Sequence, residues 1–168
     1  MHGLMMDAPL LITEIMRHAE RNHPDYADGW FATGDIASID RNGYVQITDR
    51  AKDVIKSGGE WVSSVDLENC ACGHPDVLMA AAIGVPHPTW DERPLLLIVP
   101  KPGRTAARDS LLAHIAQHFA KWQLPDDVIV VDAIPLTATG KINKRELRDR
   151  YRNQLMQQPP ATNGESVR

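Results

Sequence analysis

The chain has 168 residues, 43% of them apolar and 24% charged, which is the composition of a folded protein with room for one ordinary domain or two small ones. Its 18 basic and 22 acidic residues leave a net charge of −4, which argues against a general nucleic-acid binder. The longest apolar run, residues 78–85, has the length of a buried strand, so no membrane span is expected.

The N-terminal stretch "MHGLMMDAPLLITEIMRHAERN" has no basic leader and is interrupted by Asp7 and Glu14, unlike an export signal. Asp7 followed by Pro9 predicts a helix start, with Leu10, Leu11, Ile15 and Ala19 as its apolar stripe and His23-Pro24 as its end. "WFATGDIASIDRNGYVQITDR" predicts two strands joined by Asp40-Arg41-Asn42-Gly43, because Asn-Gly is a strong hairpin signal and Val45 and Ile47 alternate with Tyr44, Gln46 and Thr48. An apolar pair, Val54-Ile55, then leads to a glycine turn at Gly58 and Gly59, and a helix is predicted from Ser63-Ser64 to about Gly73.

"VLMAAAIGV" and "LLLIV" predict buried strands separated by a polar, proline-rich loop, "PHPTWDER". Residues 105–122 predict a helix through Leu111, Leu112, Ile115 and Phe119, and "VIVV" a short strand. A last, basic helix is expected from about Lys144, and the C-terminal tail, residues 153–168 with "QQPPATNGESVR", is expected to be disordered. Strands with intervening helices after a hairpin make an α+β domain.

Several residues invite chemistry. Cys70, Cys72 and His74 could suggest zinc, but Cys-x-Cys lacks the usual spacing and a second ligand pair, so a structural helix end is expected. His114 and His118 stand one helical turn apart without the glutamate of His-Glu-x-x-His, and are read as surface residues. No metal site is expected. The two cysteines are too few and too close for a disulfide scaffold, which fits a reducing cytoplasm. Trp90 reads as a packing anchor for its loop, and the basic last helix as a solvated face. "LTATGKINKRELRDR" could suggest a phosphate-binding P-loop before Lys141. However, Pro135 has no amide to donate at the position of the first glycine, and Ile142 has no hydroxyl for magnesium.

Three motifs nevertheless occur in a telling order: "GWFATGD" followed by "ITDRAKDVIKSGGEWVSSVDLE", then "GVPHPTWDERPLLLIV", then "PLTATGKINKRELR". Together, over residues 28–152, they resemble the C-terminal part of the adenylate-forming acyl-CoA synthetases, in particular the medium- and long-chain fatty acyl-CoA ligases. The resemblance implies a small α+β lid domain, a short mixed sheet with two to three helices, preceded by a β-hairpin and an N-terminal helix. It divides the chain into a helical segment (residues 1–24), a hairpin from the end of the large domain (25–50), the lid (51–152) and the tail.

The implied reaction has two steps: a carboxylate attacks ATP to give acyl-AMP and pyrophosphate, and the thiol of coenzyme A then displaces AMP. ATP, coenzyme A and Mg2+ are the implied ligands. By the same resemblance Lys141 is the catalytic lysine delivered to the adenylate, where an ammonium stabilises developing charge. Asp35 holds the ribose hydroxyls of ATP or AMP, Arg50 lies beside the same ribose and phosphate, and Lys52 is the hinge. Lys56, Gly58, Gly59 and Glu60 form the loop that enters the site for the coenzyme A step. Lys144, Arg145 and Arg148 would add a favourable field. Taken alone, Asp35 equally fits a turn cap, and Arg50 with Lys52 a charged strand end.

The first two dozen residues resemble the opening of the same ligases, and the Ser/Thr/Gly-rich phosphate loop and acyl pocket of the large domain are missing between. The expectation is therefore an internally deleted or truncated fatty acyl-CoA ligase, inactive alone and binding none of these ligands tightly. A large synthetase domain or an intact homologue is the expected partner. The alternative is a module that docks on a synthetase or coenzyme A and regulates it.

Overall fold

The computed structural model describes residues 3–7, 26–27 and 30–156, with side-chain surroundings from residue 33 onward. The chain divides into two compact units between Lys52 and Asp53.

In the first unit, strand β3 (Trp30–Ile39) pairs antiparallel with β1 (Gly3–Asp7), β2 (Tyr26–Ala27) and β4 (Val45–Arg50). Residues 3–7, placed before the predicted helix, are thus a strand. The helix expected from Asp7 and the opening-segment resemblance lie largely outside the described residues. The β3–β4 hairpin closes as its sequence predicts. Gly43 N–H donates to the Asp40 carbonyl at 3.0 Å, and Asp40 Oδ1 accepts from the Asn42 and Tyr44 amides at 2.8 and 2.9 Å. This is a type I turn with a glycine bulge at φ +86°. The apolar residues Ile39, Val45 and Ile47 share one exposed face, while Ile36 and Asp49 on the same two strands are buried.

The second unit is built on a mixed sheet in the order β6-β5-β8-β7, with β9 also paired to β8. Its strands are β5 (Ile55–Ser57), β6 (Glu60–Val62), β7 (Val77–His87), β8 (Asp91–Pro100) and β9 (Asp127–Val130). Helix α1 (Ser64–Cys72) and helix α2 (Arg108–Ile115) cover one face, and helix α3 (Lys144–Tyr151) packs on β7. Side chains alternate between two cores. Ala80, Ala82, Leu96 and Ile98 meet Leu67, Ala71, Leu111 and Ile115 on the α1/α2 side. Ala81, Ile83, Val85, Leu95 and Leu97 meet Ile134, Leu147 and Leu155 on the other. Coverage on both faces explains why these strands read as unbroken apolar runs rather than alternating ones. Each fully buried Leu or Ile contributes roughly 1.5–3 kcal/mol.

The helices start where their caps dictate. Ser63 Oγ accepts from Asp66 N–H at 3.1 Å, and Asn143 exchanges bonds with Glu146 through its carbonyl (3.3 Å) and amide (3.0 Å). Four expectations need correction. The "PHPTWDER" loop is mostly strand, since β7 runs to His87 and β8 begins at Asp91. Val54-Ile55 opens a separate β5–β6 hairpin. The helix predicted over residues 105–122 stops at Ile115, and a 3₁₀ turn, Lys121–Gln123, follows, because Phe119 and Leu124 turn back onto the first core. Leu155, placed in the tail, is buried in the second core.

β5 and β9 share one edge of β8: Ser57 pairs with Asp91, whereas Asp127 to Val130 pair with Leu95 to Ile98. Buried Arg93 lies between these rungs. Its Nε and Nη2 donate to Asp126 Oδ1 at 2.9 and 2.6 Å, Nη1 to Ser57 Oγ at 2.8 Å and to the Trp122 carbonyl at 2.6 Å, and Nη2 to the Leu124 carbonyl at 3.1 Å. All the N–H donors of a guanidinium are thereby used. Replacing Arg93 by Ala leaves Asp126 and two carbonyls without their donor, a loss of about 3–5 kcal/mol. Urea unfolding followed by tryptophan fluorescence should show it, with Arg93→Lys recovering only part because an ammonium cannot reproduce the planar fork.

Candidate functional site

The first unit brings two of the expected residues together. Asp35 and Arg50 are directly opposite on β3 and β4, next to a register shift after Ile36. Arg50 Nε lies 2.7 Å from Asp35 Oδ1, and Arg50 Nη1 donates to the Thr33 carbonyl at 3.4 Å. Thr33 Oγ1 in turn accepts from Asp35 N–H at 3.2 Å. The Asp35 oxygen is charge-paired but not aligned for a hydrogen bond: Oδ1 is buried and has no hydrogen-bond partner. That oxygen is therefore neutralised by the guanidinium of Arg50 rather than by a hydrogen bond.

Lys141 belongs to the second unit and follows a tight turn. Gly140 N–H donates to the Thr137 carbonyl at 2.9 Å, Thr137 N–H to the Lys141 carbonyl at 2.7 Å, and Lys141 N–H to Thr137 Oγ1 at 3.1 Å. A bridge between Leu136 and Ile142 closes the base. Gly140 has φ +80°, a conformation in which a Cβ is strained, so the fourth residue of this turn calls for glycine. The N–H and the carbonyl of Lys141 are thus both bonded, while its side chain is exposed and has no polar partner among the described residues.

Its basic neighbours behave differently. Lys144 Nζ lies 2.8 Å from Glu68 Oε1 and donates to Ser64 Oγ at 2.6 Å, and Arg148 donates to Asp53 Oδ1 at 2.9 Å. The expected solvated basic face is corrected on this point: two of its three named cations bind α3 to α1 and to the start of the unit, and Arg145 alone is exposed.

Lys56, Gly58, Gly59 and Glu60 all fall on the β5–β6 hairpin. Ser57 pairs with Glu60 across two glycines at φ +59° and +87°, a type I′ turn. Lys52 lies between the units. Ala51 N–H is bonded to the Gly34 carbonyl at 2.8 Å on one side, and Asp53 to Arg148 on the other. Lys52 itself is exposed and makes no hydrogen bond or ion pair among the described residues.

A profile of the AMP-binding enzyme C-terminal domain matches residues 66–141, ending on Lys141. This chain carries an AMP-binding enzyme C-terminal domain. Its relatives include 3-methylmercaptopropionyl-CoA ligase of Ruegeria pomeroyi, 57% identical over 135 residues that make up 80% of this chain and 25% of the relative. Long-chain-fatty-acid–CoA ligase of Thermus thermophilus is 54% identical over 127 residues, 75% of this chain and 23% of that enzyme. The ATP-bound crystal structure of MatB from Rhodopseudomonas palustris superposes with a TM-score of 0.74 at 34% identity, covering 83% of this chain and 28% of MatB. The chain spans about a quarter of the length of the curated relatives it matches.

Other polar clusters in the AMP-binding domain are structural. His74 is buried; its Nδ1 accepts from Asp76 N–H at 3.3 Å, which assigns the proton to Nε2, 3.0 Å from Ser110 Oγ. His114 Nε2 donates to the Cys70 carbonyl at 3.0 Å and its ring meets His74 edge-on. An open groove of about 530 Å³ beside them is lined by Asp66, Cys70, His114, His118 and Phe119, among others. Among the described residues no group of three or more His, Cys, Asp or Glu side chains could hold a metal ion. No described helix is long and apolar enough to cross a membrane.

Sequence reasoning missed Glu92 and Arg93, which grip the β5–β6 turn. The signal was there: two adjacent charges directly before "PLLLIV" must be neutralised as the chain enters the core.

Burial pushes the Cys70 thiol above its ordinary range, whereas Cys72 is exposed. The thiolate is the reactive form, so Cys70 should be alkylated more slowly than Cys72, and its rate should rise only at pH above the range of an ordinary thiol. Iodoacetamide labelling across pH 7 to 10, read by peptide mass spectrometry, checks this; equal rates would contradict it.

Proposed function

We propose that this chain supplies the catalytic-lysine lid of an ATP-dependent fatty acyl-CoA ligase. The observation that carries the reading is Lys141, whose N–H and carbonyl are both bonded within a tight turn while its ammonium has no partner among the described residues. With no ion pair to break, this cation is available to a substrate without the loss of an existing contact. In the reaction, a carboxylate oxygen bonds to the α-phosphorus of ATP and pyrophosphate leaves; the thiol sulfur of coenzyme A then bonds to the acyl carbon and AMP leaves. Lys141 would bridge the attacking carboxylate and the α-phosphate in the first step.

Asp35 would accept the ribose hydroxyls with its carboxylate, Arg50 holding that carboxylate in place. Lys52 would absorb the rotation between the two steps, since hinges are short segments that change φ and ψ without breaking contacts. Lys56, Gly58, Gly59 and Glu60 would face the pantetheine arm in the second. Magnesium finds no ligand set among the described side chains, and no step of this reading passes through it. Acyl-chain choice would belong to the large domain, which would also supply the phosphate loop as a separate or covalently joined partner. Cytoplasmic residence is part of the proposal, in keeping with the free thiols of Cys70 and Cys72.

The test is complementation. The large domain of a fatty acyl-CoA ligase, deprived of its own C-terminal domain, is mixed with this chain, a fatty acid, ATP, Mg2+ and coenzyme A. Neither component alone should form acyl-CoA and AMP, the mixture should, and Lys141→Ala should lower pyrophosphate release by about 10²- to 10³-fold. Turnover by this chain alone, or an unaffected Lys141→Ala mixture, would refute the reading.

A further inference from the structure

Four consecutive residues at the β7–β8 turn grip the β5–β6 turn. The Trp90 carbonyl accepts from Gly58 N–H at 2.8 Å, and the indole lies so close that a Cβ on Gly58 would fall 2.7 Å from Trp90 Cε3. Asp91 forms the rung between β8 and Ser57. Glu92 Oε2 accepts from Lys56 N–H at 3.1 Å, and Arg93 Nη1 donates to Ser57 Oγ. Sheet pairing alone would hold this turn weakly, because β5 meets β8 through that single rung and a lone two-stranded hairpin is marginal.

Two features mark the grip as a built device. Asp91 has φ +67°, the only positive value at a non-glycine among the described residues. Glu92 N–H, 2.9 Å from the Trp90 carbonyl, closes a three-residue turn around it. Strain of this kind persists where its surroundings over-determine it. Glu92 also lies across Gly84 of β7, where a Cβ would sit 2.5 Å from Oε2. A glycine within a buried strand thus leaves the space through which the carboxylate reaches β5.

We propose that Glu92 is a positioning residue that fixes the turn of residues 56–60 for the thiol step, a proposal that rests on the reading of that turn as the coenzyme A side of the site. Glu92 does not touch the reacting atoms; it acts through the Lys56 amide. Its carboxylate supplies, from a side chain, the acceptor that a longer β5 would find in its neighbour's backbone.

Residue-resolved amide exchange on the full chain tests the grip, with Glu92→Ala and Glu92→Gln as variants and Leu96 as the core control. In Glu92→Ala, exchange at Lys56 and Gly58 should rise by about tenfold or more while Leu96 holds. Glu92→Gln, whose amide oxygen accepts the same N–H, should restore most of the protection. Unchanged exchange at Lys56 in Glu92→Ala overturns the proposal. In the complemented mixture Glu92→Ala should slow thioester formation by about 10- to 100-fold and leave pyrophosphate release unchanged, with rescue by Glu92→Gln. Faster exchange with equal effects on both steps overturns the assignment of the turn to the thiol step. A mixture silent even with the unaltered chain defeats the proposed function instead, and exchange alone then decides the grip.

Discussion

The second unit depends on one buried guanidinium. β8 has to serve two partners along the same edge, a three-residue strand at its start and a parallel strand further on, and backbone pairing leaves a gap between them at Arg93. A hydrophobic side chain there would leave Ser57, Asp126 and two backbone carbonyls facing one another without a donor. Arg93 fills the gap with a rigid fork whose bonds run to three separate segments, so β5, the 3₁₀ turn and the entry to β9 are located by a single residue. Burying that charge is costly, and the pair with Asp126 is weak grounds for net stability. What it supplies is position, because moving any one of the three segments would leave a donor of the guanidinium without its acceptor.

The same logic separates the cations near the C-terminus. Lys144 is held by Glu68, which also accepts from the Ala82 amide, so the start of α3 is fixed to α1 and β7 through one carboxylate. Arg148, one helical turn on, is held by Asp53. Lys141, three residues before Lys144, has neither kind of partner. A hairpin anchored at its base by Asn143 N–H to the Pro135 carbonyl, followed by a helix anchored by two ion pairs, fixes the backbone from which one exposed ammonium extends.

Much of this was legible in the sequence. The Asn-Gly turn, the Ser63 cap, the two buried strands and the last helix each follow from local chemistry that tertiary packing has no reason to override. The "PHPTWDER" segment was misread for a physical reason: two prolines and three charges are loop composition. Here Pro86 sits near the end of β7, Glu92 and Arg93 find partners on β5, and the real turn is three residues long. The β5–β6 hairpin was missed because three-residue strands are too short to show a period. The pairing of Asp35 with Arg50 was not readable from spacing, since they stand fifteen positions apart with a bulge between them; only the hairpin register brings them opposite. Glu68 with Lys144 was further beyond reach, being a contact between helices on either side of the sheet's edge with no local pattern to mark it.

The junction at Lys52 has a physical account that needs nothing from outside the chain. Ala51 is the last residue tied to the first unit, through the Gly34 carbonyl, and Asp53 is the first tied to the second, through Arg148. Between them Lys52 is exposed and makes no hydrogen bond or ion pair among the described residues. The Asp35–Arg50 pair before it and the Arg148–Asp53 pair after it each lie wholly within their own unit. With a bonded residue on each side of Lys52, the two units are joined by a short connection rather than by a long linker.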